Sequence, residues 1–327
     1  MQRPLAQAFS RRRVLVVGDL VADHYIYGRS ERVSREAPVL IVRYESAEVK
    51  LGGGANAAAN VKSLGGQVTV VGVLGDDEMG GELRRLCKAA GIRLVATSAP
   101  GLETETKTRI LAGGVNTTRQ QMLRLDRGAP GPLPAKVRSE LAREVASAAQ
   151  SVDAVLVSDY GAGVVSEEVR QVLRDLARQG LVVCADSRHH LRALTQLTVC
   201  KPNEPELEAL TGMSVRSEKE LVAAAARGLK LLGSQALVVT RGRNGIAVFE
   251  QGKPPHFIPV HGAAEAVDVT GAGDTVMAAL TLALAAKGSL GEAARLANVA
   301  GALVVQKQGT ATVSRAELQR ELSGAEA

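Results

Sequence analysis

The sequence has no tryptophan, three phenylalanines and four tyrosines, so aromatic rings make up only 2% of its 327 residues. Its interior must therefore be filled by Val, Leu, Ile and Ala. Cys87, Cys184 and Cys200 form an odd, widely spaced set with no Cys-x-x-Cys pair. They fit reduced core thiols in a cytoplasmic protein and exclude a disulfide framework. The apolar run after Arg11-Arg12-Arg13 stops at Gly18-Asp19, too short for a leader peptide, and no stretch approaches a membrane span. The five histidines form no His-x-x-x-His pair for a metal. There is no Gly-x-x-x-x-Gly-Lys-Ser/Thr phosphate loop and no Gly-x-Ser-x-Gly elbow, and Gly52-Gly53-Gly54 lacks the spacing of a dinucleotide fingerprint. The net charge is +6, but the charges are dispersed and no basic run is interleaved with aromatics, which argues against nucleic acid. Small anionic substrates account for the same balance.

What is present is a chain with 46% hydrophobic and 23% charged residues, long enough for one large α/β domain. Val14–Val17 reads as a buried parallel strand. After the Gly128-Ala-Pro-Gly-Pro-Leu-Pro134 linker, strand and helix alternate through Ala154–Val157, a helix from Ser166, Leu181–Ala185, Thr198–Cys200, two helices and Ala236–Thr240. Gly245–Glu250 and His256–Val260 predict a hairpin. Ser217/Glu220, Ser289/Glu292 and Ser314/Glu317 predict three capping boxes. Two β-rich stretches, about 23–50 and 94–126, interrupt this rhythm. The expectation is a single domain over residues 1–327, with a mostly parallel sheet covered by helices on both faces. A small β-sheet lid stands over the carboxyl ends of the strands.

The chain is organised around Asp268-Val-Thr-Gly-Ala-Gly-Asp274 and the apolar helix that follows it. Gly271 and Gly273 allow a tight turn that bares N–H groups at a helix N-terminus, a setting suited to phosphate. A carboxylate at 274 would repel that anion unless it takes a proton from an attacking hydroxyl. An aspartate capping a core helix would give the same text. Asn203-Glu-Pro-Glu206 follows a strand, where an amide and a carboxylate can order Mg²⁺ waters, or simply cap a helix. Thr240, Gly242 and Gly245 form a glycine loop that can admit a nucleotide or lead into the hairpin. Gly53, Gly54 and Asn56 can receive a sugar or make a turn. Asp19 and Asp23 can grip vicinal hydroxyls or serve as turn acids.

Taken together and in this order, Val16-Val-Gly-Asp19, Gly52-Gly-Gly-Ala-Asn56, Asn203-Glu-Pro-Glu206 and Asp268–Asp274 resemble the ribokinase (PfkB) carbohydrate kinases. Within that family the chain is most similar to the D-glycero-β-D-manno-heptose-7-phosphate kinases. The residues carrying this are Gly18-Asp19 with Asp23 and Tyr25, Arg32-Val-Ser-Arg-Glu-Ala-Pro38, Leu123-Arg-Leu-Asp126, Val157-Ser-Asp-Tyr160 and Gly309-Thr-Ala-Thr-Val313. The resemblance implies a ribokinase-like fold that uses ATP and Mg²⁺, with a monovalent cation such as K⁺. Asp274 would be the catalytic base and the amides of Gly271, Ala272 and Gly273 the anion hole. Asn203 and Glu206 would lie near Mg²⁺, and Asp268 and Thr270 beside the monovalent cation. Asp19, Asp23, Gly53, Gly54 and Asn56 would bind sugar, with Asp126 beside them. Lys107, Arg109 and Arg188 would hold the substrate's own phosphate, while Thr240, Gly242, Gly245, Asn203 and Asn298 would face the nucleotide. One departure stands out: heptose kinases usually show Asp-Pro-Lys where this chain has Asp186-Ser187-Arg188. Arginine does not replace lysine neutrally, so sugar choice is open to a ribose, ketohexose phosphate or nucleoside kinase. A non-catalytic sugar-binding regulator on the same fold is the rival of another class. A homodimer through lid strands is expected by analogy. Many heptose kinases carry a fused nucleotidyltransferase domain. This sequence ends just after Ser314–Leu322, so adenylyl transfer is expected of a separate protein.

Overall fold

The computed structural model describes residues 2–114, 119–128, 132–262 and 265–324. In chain order the strands are β1 (Arg13–Gly18), β2 (Leu20–Val33), β3 (Leu40–Gly53), β4 (Gln67–Val73), β5 (Arg93–Thr97), β6 (Glu105–Gly113) and β7 (Gln120–Arg127). They continue as β8 (Ala154–Asp159), β9 (Val182–Ser187), β10 (Val199–Cys200), β11 (Ala236–Thr240), β12 (Ile246–Glu250) and β13 (His256–Ile258). The helices are α1 (Gln2–Gln7), α2 (Gly54–Ser63), α3 (Glu78–Ala89), α4 (Ala135–Ala149), α5 (Glu167–Arg178), α6 (Glu204–Thr211), α7 (Glu218–Leu232), α8 (Ala272–Ala285), α9 (Leu290–Val304) and α10 (Arg315–Gly324).

Nine strands form the main sheet in the order β13-β12-β11-β10-β9-β8-β1-β4-β5, parallel except for the β11-β12-β13 meander. The apolar runs are continuous because helices cover both faces. Along β1, Val14 and Val16 enter one core with α2, α8 and α9, while Leu15 and Val17 enter the other with α4, α5 and α7. Leucine fills most of the volume, and Phe9 is the sole aromatic among the largest fully buried side chains of the described residues. No helix among the described residues is long and apolar enough to cross a membrane.

The lid is a four-stranded sheet, β3-β2-β6-β7. Both β-rich stretches supply strands to it, with one correction to the 94–126 span: β5, inside that stretch, pairs with β4 at the edge of the main sheet. Its Arg93–Thr97 run follows α3 as any βαβ crossover strand would, and only Glu105 onward crosses to the lid. The lid is joined to the core without a hinge helix. Only Asp19 separates the end of β1 from the start of β2, and β3 runs straight into α2. The expected hairpin is β12–β13, and the three capping boxes are formed. Residues 129–131 of the expected linker lie outside the described residues.

Candidate active site

Strand β1 has β4 on one side and β8 on the other, so chain order reverses at that point of the sheet. Crevices at the carboxyl ends of such switch points are where open α/β sheets bind ligands. Those ends deliver Asp19 from β1, Ser158 and Tyr160 from β8, Asp186 from β9 and Lys201 from β10. Helix α8, packed on β8 and β9, brings its N-terminus to the same place.

That N-terminus is built by Gly271, whose φ of 76° is the left-handed conformation that a β-carbon disfavours. A β-carbon there would also stand 2.7 Å from the Nδ2 of Asn56. The bare glycine lets the Asn56 amide slide beneath the turn and donate to the Oδ2 of Asp274 at 2.8 Å. Ser158 Oγ lies 3.4 Å from Oδ1, and the Tyr160 phenol lies 3.3 and 3.2 Å from the two carboxylate oxygens. Asp274 is therefore no surface N-cap, being only 4% exposed. Burial raises its pKa to about 7; Asn56 and Tyr160 oppose the rise by hydrogen bonding, Asp186 adds to it by charge, and Lys201 opposes it. A carboxylate tuned to neutral pH and fed by donors is suited to accept a proton. Of the three expected anion-hole amides, that of Ala272 is already bonded to Val269 O at 3.2 Å, which closes the turn.

No role for Ser158, Tyr160, Asp186 or Lys201 follows from the sequence alone. The Lys201 ammonium, 4% exposed, pairs with Asp186 at 2.9 Å. Burial pulls its pKa down, but the charges of Asp186, Glu206 and Asp274 hold it above the ordinary lysine value. The place where a Gly273 β-carbon would stand is 3.5 Å from Asp186 and 3.9 Å from the Lys201 Nζ. A buried cation thus abuts the bare backbone of the turn into α8. The signal available beforehand was a lysine directly behind a short apolar strand run; its burial depends on strands far away in sequence.

On the lid side, Asp23 is buried and accepts from Arg109 Nη1 at 2.6 Å, and Arg109 lies over the Tyr25 ring. Lys107 sits 4.8 Å over the Tyr160 ring. Burial, helped by the nearby charges of Arg124 and Arg188, pulls the Lys107 pKa down. Arg188 is exposed and anchored by its backbone to Asp159. Lys107 and Arg109 thus lie beside Asp23 and Tyr160, and Arg188 is near enough for its charge to act on Lys107. Asp126 on β7 stands opposite Lys107 of β6; it is exposed and held by both prongs of Arg124 at 2.7 and 2.5 Å, so its carboxylate is already engaged.

Asp19 corrects the expectation of a sugar ligand. Its carboxylate is 1% exposed and takes the backbone amides of Tyr160, Ala162 and Val164 at 2.7, 3.1 and 3.2 Å. Burial first, then the charge of Asp159, raises its pKa to about 6 against those amides. It fixes the loop that carries Tyr160. The room left by Gly52 and Gly53 is likewise used internally. Their β-carbons would stand 2.5 Å from Asp23 Oδ2 and 2.4 Å from Asp19 O, and that of Gly54 would approach Gly18 at 3.2 Å.

On the other side of α8, Asn203 and Glu206 form a reciprocal capping box on α6, with Asn203 N to Glu206 Oε2 and Glu206 N to Asn203 Oδ1 both at 2.8 Å. Burial and then Asp186 keep the Glu206 pKa raised. The cap engages Glu206 through Oε2, so this donor set fits Mg²⁺ through water rather than as a full ligand cage. No group of three or more His, Cys, Asp or Glu able to hold a metal occurs among the described residues. Asp268 ties two loops together, accepting from Thr270 N at 2.9 Å and Gly309 N at 2.8 Å. Thr240 is bridged to Asn203 and bonded to Pro202 O, which keeps both loops in register. Gly242 is open to its surroundings. Gly245 is explained by packing, since its β-carbon would stand 2.1 Å from Ile258 O. Asn298, expected at the nucleotide, spends its amide on Pro259 O at 2.7 Å.

Comparison with known proteins gives three findings. The model of the pfkB family carbohydrate kinases matches residues 11–317. The bifunctional protein HldE of Azotobacter vinelandii is 40% identical over 313 residues, covering 95% of this chain and 64% of its own. That of Nitrosococcus oceani is 37% identical over 319 residues, covering 96% and 64%. The chain thus spans a little under two thirds of the length of those relatives. Among solved structures, Arabidopsis thaliana ribokinase complexed with ribose and ATP superposes with a TM-score of 0.75 at 24% identity over 95% of this chain and 98% of that one. Escherichia coli phosphofructokinase-2 in complex with potassium gives 0.76 at 20% over 97% and 99%. At those identities the two structures speak for the fold alone.

Proposed function

Since the chain belongs to the pfkB family of carbohydrate kinases, we propose that it transfers the γ-phosphoryl group of ATP to the anomeric hydroxyl of D-glycero-β-D-manno-heptose 7-phosphate. The observation that carries the chemistry is Asp274, held with a pKa near neutrality at the N-terminus of α8. The acceptor hydroxyl would take the position of the Tyr160 phenol and give its proton to Asp274 as the new O–P bond forms. The bond to the β-phosphate oxygen breaks, and ADP leaves. Lys201 and the helix amides would balance charge on the equatorial oxygens. Asn203 and Glu206 would hold Mg²⁺ through water, and the bound ion would supply charge neutralisation at the phosphates. Asp268 and Thr270 would border a monovalent cation. Heptose 7-phosphate is supported by the motif resemblance and by Lys107 and Arg109 beside Asp23, with the charge of Arg188 felt at Lys107, a setting in which a distal phosphate would lie. Asp23, Gly54 and Asn56 would meet the sugar. Arg188 in place of the usual lysine favours, as a second reading, a kinase for a different sugar phosphate. The exposed apolar lid residues support a homodimer formed through lid strands.

ADP release measured over a panel of heptose 7-phosphate, ribose, ketohexose phosphates and nucleosides tests the reading. Turnover should be highest on the heptose phosphate, and preference for an unphosphorylated sugar would overturn it. Asp274→Asn should lower kcat by ~10²–10⁴-fold with ATP affinity retained. Near-normal turnover would remove Asp274 from its role.

A further inference from the structure

Helices α2 and α8 meet through polar side chains as well as apolar ones. Asn60 and Thr275 are both fully buried, and Asn56 is 1% exposed. Buried amides and hydroxyls are costly unless bonded, so a polar line through an apolar interface calls for an account. Thr275 Oγ1 lies 2.8 Å from Asn60 Oδ1. Asn60 Nδ2 donates to the backbone oxygen of Asn56 at 3.0 Å and lies 3.2 Å from Asn56 Oδ1. Asn56 Nδ2 in turn reaches Asp274 Oδ2 at 2.8 Å.

The direction of every bond in this line follows from one atom. The Asn56 backbone carbonyl can only accept, so the Asn60 NH₂ must face it. The Asn60 oxygen is then turned to Thr275, whose hydroxyl must donate. The same Asn60 NH₂ meets the Asn56 side-chain oxygen, which leaves Asn56 only its NH₂ to present to the carboxylate. Were the Asn56 amide reversed, two oxygens would face each other across 2.8 Å at the carboxylate, and two NH₂ groups would meet at Asn60. Asn60 prevents that reversal.

We propose that Asn60, backed by Thr275, is a positioning residue that locks the Asn56 amide as a donor to Asp274 and so keeps the carboxylate ready to accept a proton. This rests on Asp274 acting as the base, as argued above. The other charged or titratable groups facing Asp274 are Tyr160 from the loop after β8, Asp186 from β9 and Lys201 behind β10, and none of them touches Asn60. Among side chains bonded to the carboxylate, Asn60 touches Asn56 alone.

The test is the titration of Asp274 itself, followed by carboxyl NMR on ¹³C-aspartate-labelled protein and assigned with Asp274→Asn. Thr275→Val removes the hydroxyl donor. Asn60→Leu with Thr275→Val replaces both buried partners by apolar groups, which keeps either from being left unpaired. The double variant should raise the Asp274 midpoint by about one pH unit, the worth of one hydrogen bond to a charged group. Thr275→Val should raise it less, and the acid limb of kcat/KM should move by the same amounts with KM for ATP unchanged. A midpoint that stays at the wild-type value in folded Thr275→Val and double-variant protein overturns the proposal. Should the double variant not fold, Asn60→Leu alone, which removes the NH₂ that faces the Asn56 oxygen, decides in its place. The NMR readout needs no turnover, so wild-type protein inactive on every sugar would sink the kinase reading while leaving this inference to be judged separately.

Discussion

The carboxylate of Asp274 is shifted from an ordinary 3.8 to about 7, so near neutrality only part of the protein holds the proposed base ionised. Its acid form cannot accept a proton, and kcat/KM should rise with pH through about 7. The effect on stability runs the other way. Between 3.8 and about 7 the folded chain binds a proton at this site that the unfolded chain does not, so this site's contribution to stability falls as pH rises through that window. Asp19, raised to about 6, has the same sign over a narrower range. The buried Lys201 ammonium opposes the Asp274 shift and also neutralises Asp186, which promotes it. Lys201→Met removes the first influence and releases the second, so both changes push Asp274 upward. The acid limb of the kcat/KM profile should move to higher pH and the maximal rate should fall. An unmoved limb would show that Lys201 is electrically remote from the base.

At the scale of elements, the turn into α8 depends on Gly271 twice over. It holds a left-handed φ of 76°, and its missing β-carbon leaves room for Asn56. Gly271→Ala should cost roughly 1–2 kcal/mol from the backbone alone and push Asn56 off Asp274. Thermal unfolding and kcat should therefore fall together. A variant with lowered melting temperature and unchanged kcat would show that Asn56 does not assist the base. Such a turn is legible in sequence because its rule is local: two glycines, an aspartate and an unbroken apolar helix. The capping boxes of α7, α9 and α10 were legible for the same reason. Asn203 and Glu206 were legible only in part, since a capping box and a metal-side pair write the same letters, and the structure shows the cap formed. Gly245 misled in the other direction. Its glycine answers to the neighbouring chain at Ile258, which no reading of its own loop reveals.

At the scale of the whole molecule, strand alternation disclosed the sheet because a parallel sheet buried on both faces needs unbroken apolar runs. Which side chains would meet at the switch point was hidden, since Ser158, Asp186, Lys201 and Asp274 come from four separate crossovers and are joined by sheet order alone. The placement of Asp19 was hidden likewise, because the amides that hold it lie about 140 residues downstream. The lid raises the remaining question. Its edge strands β3 and β7 each pair on one side only, and β7 is exposed along its whole length. Leu40 and Tyr44 on β3, with Val33 at the end of β2 beside them, and Leu123 and Leu125 on β7 at the opposite edge stand 47–64% exposed. Apolar groups gathered on an unpaired sheet edge invite a second sheet. If two lids pair, Leu123→Glu with Leu125→Glu should convert a two-chain species to one chain in analytical ultracentrifugation. The fold should be retained, because neither side chain contributes to a buried core. The sugar KM should rise more than the ATP KM, because β7 supports β6, the strand carrying Lys107 and Arg109. Wild-type protein that sediments as one chain at micromolar concentration would remove the dimer, and leave the lid's apolar surface to be explained by closure over the sugar.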